Sequence, residues 1–118
     1  MDLNALIDKV KEHADYAKVG MMLCHVGVVR ETSEDGRPVS GLELAVDRND
    51  LESLLSEQKK RPGIVEILAD IQEGPLKVGD DMMAIVVAGD RRDHVVPVLQ
   101  DTLNAIKKRV TRKTEHFV

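Results

Sequence analysis

Residues 3–14 set Leu3, Leu6, Ile7 and Val10 at intervals of three and four behind Asp2, which predicts a helix with Asp2 as its N-cap. "VGMMLCHVGVV" (19–29) is apolar on both parities apart from His25, the pattern of a strand covered on both faces and central in its sheet. "TSEDGRP" (32–38) is a run of turn formers and "VSGLELAV" (39–46) alternates, so 19–46 reads as a long antiparallel hairpin. Asn49 and Glu52 have capping-box spacing, and Leu51, Leu54 and Leu55 give a helix over 50–60 one apolar stripe before the stop at "RPG" (61–63). "IVEILADI" (64–71) reads as a strand, "EGPLKVGD" (73–80) as a turn-rich connection, "MMAIVVA" (82–88) as a buried strand and "GDRRD" (89–93) as a loop. From 94 to 110, Val96, Leu99, Leu103, Ile106 and Val110 recur at three and four, an amphipathic helix with Pro97 expected in or near its first turn, or else as a kink. The order α-β-β-α-β-β-α predicts an α+β fold, helices packed on a mostly antiparallel sheet.

A length of 118 residues supports one hydrophobic core, so 1–118 reads as a single domain. No apolar run approaches the roughly 18 residues that cross a bilayer, and the opening "MDLNALIDKVKEH" alternates acids and bases, unlike a secretory signal. A cytoplasmic, membrane-free protein is expected. A lone cysteine, Cys24, excludes an internal disulfide, and no thiol and histidine spacing suggests zinc, so neither metal nor cofactor is expected. Cys24 itself reads as a small buried thiol, His25 as a strand histidine, and Met21, Met22, Met82 and Met83 as core filler. With only Tyr16 and Phe117 aromatic and a net charge of −4, nucleic-acid binding is disfavoured.

Against that acidic balance, "KKRVTRK" holds Lys107, Lys108, Arg109, Arg112 and Lys113. One or two cations complement a helix C-terminus; five in seven positions repel one another, and such crowding lowers a lysine's pKa toward the range useful for proton transfer or attack on a carbonyl. Arg30 ends one strand, and Arg91 with Arg92 follows another at a helix start, positions where arginine forks and free N–H groups hold phosphate or carboxylate. Taken singly each also reads as a solvated loop arginine, and Glu31, Glu34 and Asp35 read as a solvated hairpin tip.

These residues resemble the large, catalytic subunit of molybdopterin synthase. "GMMLCHVGVVR" (20–30) is similar to that family's first strand, with Gly20, Gly27 and Arg30 in register, and "DGRPVSGLEL" (35–44) to the return after it. "GPLKVGDDMMAIVVAGDRR" (74–92) resembles its Gly-x-Leu-x-Val-Gly-(Asp/Glu) segment and buried strand, and "IKKRVTRKTEHF" (106–117) its Lys-Arg-Arg-Val run and Lys-Glu-His-Phe ending. The resemblance implies a ubiquitin-like small subunit whose C-terminal thiocarboxylate enters a pocket and transfers sulfur to cyclic pyranopterin monophosphate, a pterin phosphate, giving molybdopterin, and it implies a homodimer. It implies catalytic roles for Lys107 and Lys113, and substrate binding by Arg30, Arg91 and its neighbour Arg92. The departures cluster at the pocket: Asp90 stands at the histidine of a His-Arg pair, "TRK" replaces a Pro-x-Trp-Lys stretch, and His25 replaces an aromatic. A non-catalytic relative that binds an anion or a partner as a dimeric module is the alternative, and a purely structural dimer a third.

Overall fold

The apolar run from 82 to 88 lies in the middle strand of a sheet, where both faces are covered. The computed structural model describes residues 2–118. Its elements are α1 (Leu3–Lys11), β1 (Met21–Val28), β2 (Val39–Val46), α2 (Arg48–Lys59), β3 (Ile64–Ile71), β4 (Gly74–Lys77), β5 (Asp81–Gly89), α3 (Arg92–Ala105) and β6 (Thr111–Phe117). A short 3₁₀ turn, Tyr16–Lys18, precedes β1, and a π-helical turn, Ile106–Val110, joins α3 to β6. The α+β class holds, with two three-stranded antiparallel sheets among the described residues, ordered β1-β5-β3 and β4-β2-β6.

The expected 19–46 hairpin does not form. A local turn closes, with Ser33 N–H donating to the Arg37 carbonyl and a bridge between Thr32 and Pro38, but the strands then part. β1 pairs with β5 while β2 pairs with β4 and β6. β5 takes the central place assigned to β1: Ala84 through Ala88 are fully buried, whereas Val26 and Val28 of β1 are 40% and 49% exposed. The physical reason is coverage. Nine-residue α1 is about 13 Å long, half the span of an eight-residue strand, so it shields Met22, Leu68, Val86 and Ala88 and leaves the rest of the β1 outer face open. Cys24 lies in that open part and is exposed, correcting the expectation of a buried thiol.

The inner faces close over the main core, in which Leu42 and Leu44 of β2, Leu51 and Leu54 of α2, Ile67, Ile85 and Val87 of the first sheet, and Val95 and Val98 of α3 meet. The helix over 92–105 presents Val95, Val98 and Thr102 to this core and leaves Val96 45% exposed, so its most buried stripe is one residue out of phase there, while Leu99 and Leu103 pack partly buried and Ile106 and Val110 beyond it are buried as expected. Pro97 is the sixth residue of α3, beyond the first turn. α1 is capped as expected, Asp2 Oδ1 accepting from Asn4 N–H at 2.9 Å, but α2 starts two residues early, capped by Asp47 at 3.0 Å from Asp50 N–H instead of by Asn49. "GPLK", expected within a connection, is β4, and Thr111–Phe117, for which no element is predicted, is strand β6.

Candidate functional site

Where α3 ends, five cations fall on a change of backbone geometry. The last turn widens into the π-helical Ile106–Val110, held by Thr111 Oγ1 donating to the Ile106 carbonyl at 3.3 Å and by Asp47 N–H donating to the Val110 carbonyl at 2.8 Å. Ile106 and Val110 face the core, so the residues between them point outward in a fan. Arg109 turns back to α2, donating to Asp50 Oδ1 at 2.7 Å and Glu57 Oε2 at 3.1 Å, a fork that anchors the turn. Those hydrogen bonds raise the Arg109 pKa further above its already high value and, on the other side, lower that of Asp50. Lys108 and Arg112 are exposed and flank the groove beside Ala45 and Asp47.

Lys107 and Lys113 share a cavity of about 530 Å³. They reach it from different elements, the π turn and β6, because the chain reverses between them. His25, Asn104 and Thr111 complete its polar lining, and Leu44, Met82, Met83, Leu103 and Ile106 its apolar wall. Met82 and Met83 therefore belong to this wall as well as packing on the core. Two cations over an apolar floor suit an anionic ligand with a ring system: the ammonium groups meet the charge and the thioethers the flat body.

The loop 30–38 reaches the same cations. Lys107 Nζ donates to Glu34 Oε1 at 3.0 Å, and Lys107, Lys113 and Arg30 together, the hydrogen bond from Lys107 foremost, hold the Glu34 carboxyl below its ordinary pKa. Glu34, read from sequence as part of a solvated tip, is thus an internal anion on the cation cluster. Its signal is one acid among three, Glu31, Glu34 and Asp35, which no spacing rule tells apart. Asp35 is likewise engaged, paired with Arg37 at 2.8 Å. Arg30 donates its Nε–H to the Thr32 carbonyl at 2.8 Å, which shapes the loop that carries Glu34.

Arg91 and Arg92 are elsewhere. They begin α3, about 20 Å along a 14-residue helix from the lysines that follow its end, so within one chain they do not meet Lys107. Arg91 is the N-cap residue and lies 3.5 Å from Asp93 Oδ2 and from His94 Nε2, while Arg92 is exposed. Asp90 turns to His94, whose Nδ1 is 2.8 Å from its Oδ1, and this hydrogen bond is the main cause of its lowered pKa. Gly63, at φ +78°, makes the arrangement possible, since a Cβ there would collide with both His94 and Asp90. No three His, Cys, Asp or Glu side chains cluster as metal ligands among the described residues, and no described helix is long and apolar enough to cross a membrane.

Residues 1–109 match the MoaE protein family, a span that includes Lys107 and ends before β6 and Lys113. No curated protein sequence matches. The fold is similar to "Molybdopterin cofactor biosynthesis protein E" of Burkholderia multivorans, at 27% identity and a TM-score of 0.77 over 100% of this chain and 84% of that one. It is similar also to molybdopterin synthase of Staphylococcus aureus, at 23% identity and TM-score 0.73 over 86% of this chain and 77% of that one. A third likeness is to a complex of subunits 1 and 2 of the molybdopterin-converting factor of Helicobacter pylori, at 18% identity and TM-score 0.71, covering 100% of this chain and 84% of that one.

Proposed function

The chain belongs to the MoaE family and to molybdenum cofactor biosynthesis, and from this premise we propose that it is an active large subunit of a cytoplasmic molybdopterin synthase, its residues 1–118 acting as one domain. Its partner is the ubiquitin-like small subunit, and the H. pylori likeness, a complex of two converting-factor subunits, supports that pairing. The reaction is sulfur transfer from the small subunit's C-terminal thiocarboxylate to cyclic pyranopterin monophosphate, without a cofactor. The single observation that carries this reading is the convergence of Lys107 and Lys113 on one cavity with an apolar wall.

In this reading the cavity receives the small subunit's tail and the pterin. Lys107 gives a proton to the oxygen that leaves as the thiocarboxylate sulfur attacks the pterin carbon, so that a C–S bond replaces a C–O bond; water then cleaves the resulting thioester, leaving sulfur on the pterin and a carboxylate on the tail, which Lys113 holds. Arg30 positions the loop beside the site and contributes positive charge to it. Arg91 and Arg92 hold substrate anion at a site that a second copy of the chain completes, since within one chain they stand a helix length away. Displacement of Glu34 from Lys107 precedes binding, because its carboxylate repels an anion arriving at the same ammonium. Purified chain, thiocarboxylated small subunit and pterin substrate, combined and assayed for molybdopterin, test the proposal: product supports it, and a stable complex without product contradicts it. The Glu34 ion pair favours one second reading, in which the cations are already neutralised and the chain docks its partner without turnover.

A further inference from the structure

We propose that His25 is a ligand-contacting residue of the Lys107 cavity, an imidazole that joins the two lysines on the bound anion. The identity of that anion as a pterin phosphate rests on the synthase reading; the contact itself rests on the cavity.

Strand parity directs His25 there. It stands opposite the fully buried Ile85 in the β1–β5 register, with Gly27 opposite Met83 two residues along, so His25, Gly27 and Met83 share the face that borders the cavity. Gly27 is what opens the space: a Cβ at that position would stand 3.2 Å from Met83 Cγ, 3.7 Å from His25 Nε2 and 3.7 Å from Met82 Cε. The imidazole edge and two methionines therefore surround a gap that any other residue would begin to fill. The His25 ring makes no hydrogen bond to another described residue, whereas His13 Nδ1 accepts from Asp15 N–H at 3.0 Å and His94 is tied to Asp90 at 2.8 Å. A ring with both nitrogens uncommitted inside a cationic cavity is available to a ligand.

The other charges at this space are Lys107 from the π turn, Lys113 from β6 and, across the rim, Glu34 on Lys107 with Arg30 acting on the same carboxylate; Asn104 of α3 is neutral and β5 contributes methionines. A ring N–H of His25 is therefore a donor that an anion held by the two ammonium groups can reach.

Sulfate is the probe. With the isolated chain, sulfate titrations followed by histidine-ring NMR are expected to move the His25 ring signals and leave those of His13 in place. His25→Phe weakens sulfate binding about three- to fivefold, the effect of one partly exposed polar contact, and His25→Gln, which keeps a donor, weakens it less; either one suffices if the other fails to fold. Lys107→Ala weakens binding too, which places the sulfate in this cavity. Equal sulfate affinities for the wild type and both His25 variants, or His25 signals unmoved at saturating sulfate, overturn the proposal. No small subunit and no turnover enter this measurement, so its failure leaves the synthase reading standing, and an absence of product leaves the His25 contact standing.

Discussion

Lys107 Nζ and Glu34 Oε1 are 3.0 Å apart although 73 residues separate them in the chain. The contact joins the candidate catalytic cation to the loop between β1 and β2, and both partners are largely solvent-exposed, 73% and 76%. An exposed pair of this kind is weak and easily exchanged for a better anion. Glu34→Gln is therefore expected to tighten anion binding at Lys107 by a factor on the order of two to five at low salt, and the gain should vanish at about 1 M salt, where the screening length is about 3 Å. Isothermal titration with sulfate at two ionic strengths checks it; equal affinities for variant and wild type at low salt count against an internal competitor.

Arg109 is the cation with a structural task. Its fork to Asp50 and Glu57 ties the π turn to α2, so Arg109→Met is expected to lower Tm by roughly 2–5 °C at neutral pH. The pH dependence has a definite sign. Asp50's pKa in the folded chain lies below its ordinary 3.8, so the unfolded state binds more protons in acid, and the stabilisation is present above that value and lost as pH falls through the lowered one. Thermal melts from pH 7 to 2 should show the wild type and Arg109→Met converging in acid; a constant gap would assign the effect to packing of the arginine stem instead of its charge.

Gly63 permits the Asp90–His94 contact. Its φ of +78° strains any residue with a Cβ, and the added atom collides with both partners. Gly63→Ala is expected to destabilise the chain by on the order of 1–3 kcal/mol and to free the His94 ring, visible by NMR. A neutral substitution would mean that the turn relaxes at no cost.

Ile106 is fully buried and lines the cavity wall one residue before Lys107. Ile106→Ala should cost about 2–5 kcal/mol by chemical denaturation and also weaken anion binding, because the π turn that aims Lys107 loses its inner support. Ile67→Ala, an equally buried change in β3 outside that wall, should destabilise comparably and leave binding intact.

Much of the fold was legible in the sequence because local pattern and local structure agree there. Asp2 caps α1 as its spacing implies, and the continuous apolar run at 82–88 is a buried strand. The errors share one cause, that strand pairing is not a local property. The turn at 32–38 is real, yet β1 and β2 leave it for different partners, because β5 offers β1 a longer apolar match than β2 does. β6 escaped notice because "TRKTEHF" has no apolar alternation; it pairs with β2 through its backbone and leaves most of its side chains to solvent. At the site, Lys107 and Lys113 stand out by charge density along with three other cations, and only the resemblance singles the two out as catalytic. His25 lines the cavity through its place in the β1–β5 register, and Glu34 reaches Lys107 at the rim through a long-range contact that no spacing encodes.

We propose that Lys107 acts in sulfur transfer on this fold. The measurement that meets it most directly is molybdopterin formed by the chain, thiocarboxylated small subunit and pterin substrate, compared with the same mixture containing Lys107→Ala of matched Tm. Product from the wild type that falls by about 10²-fold or more in Lys107→Ala is the predicted result. Equal product from both, or none from a wild type that still binds the small subunit, would contradict it.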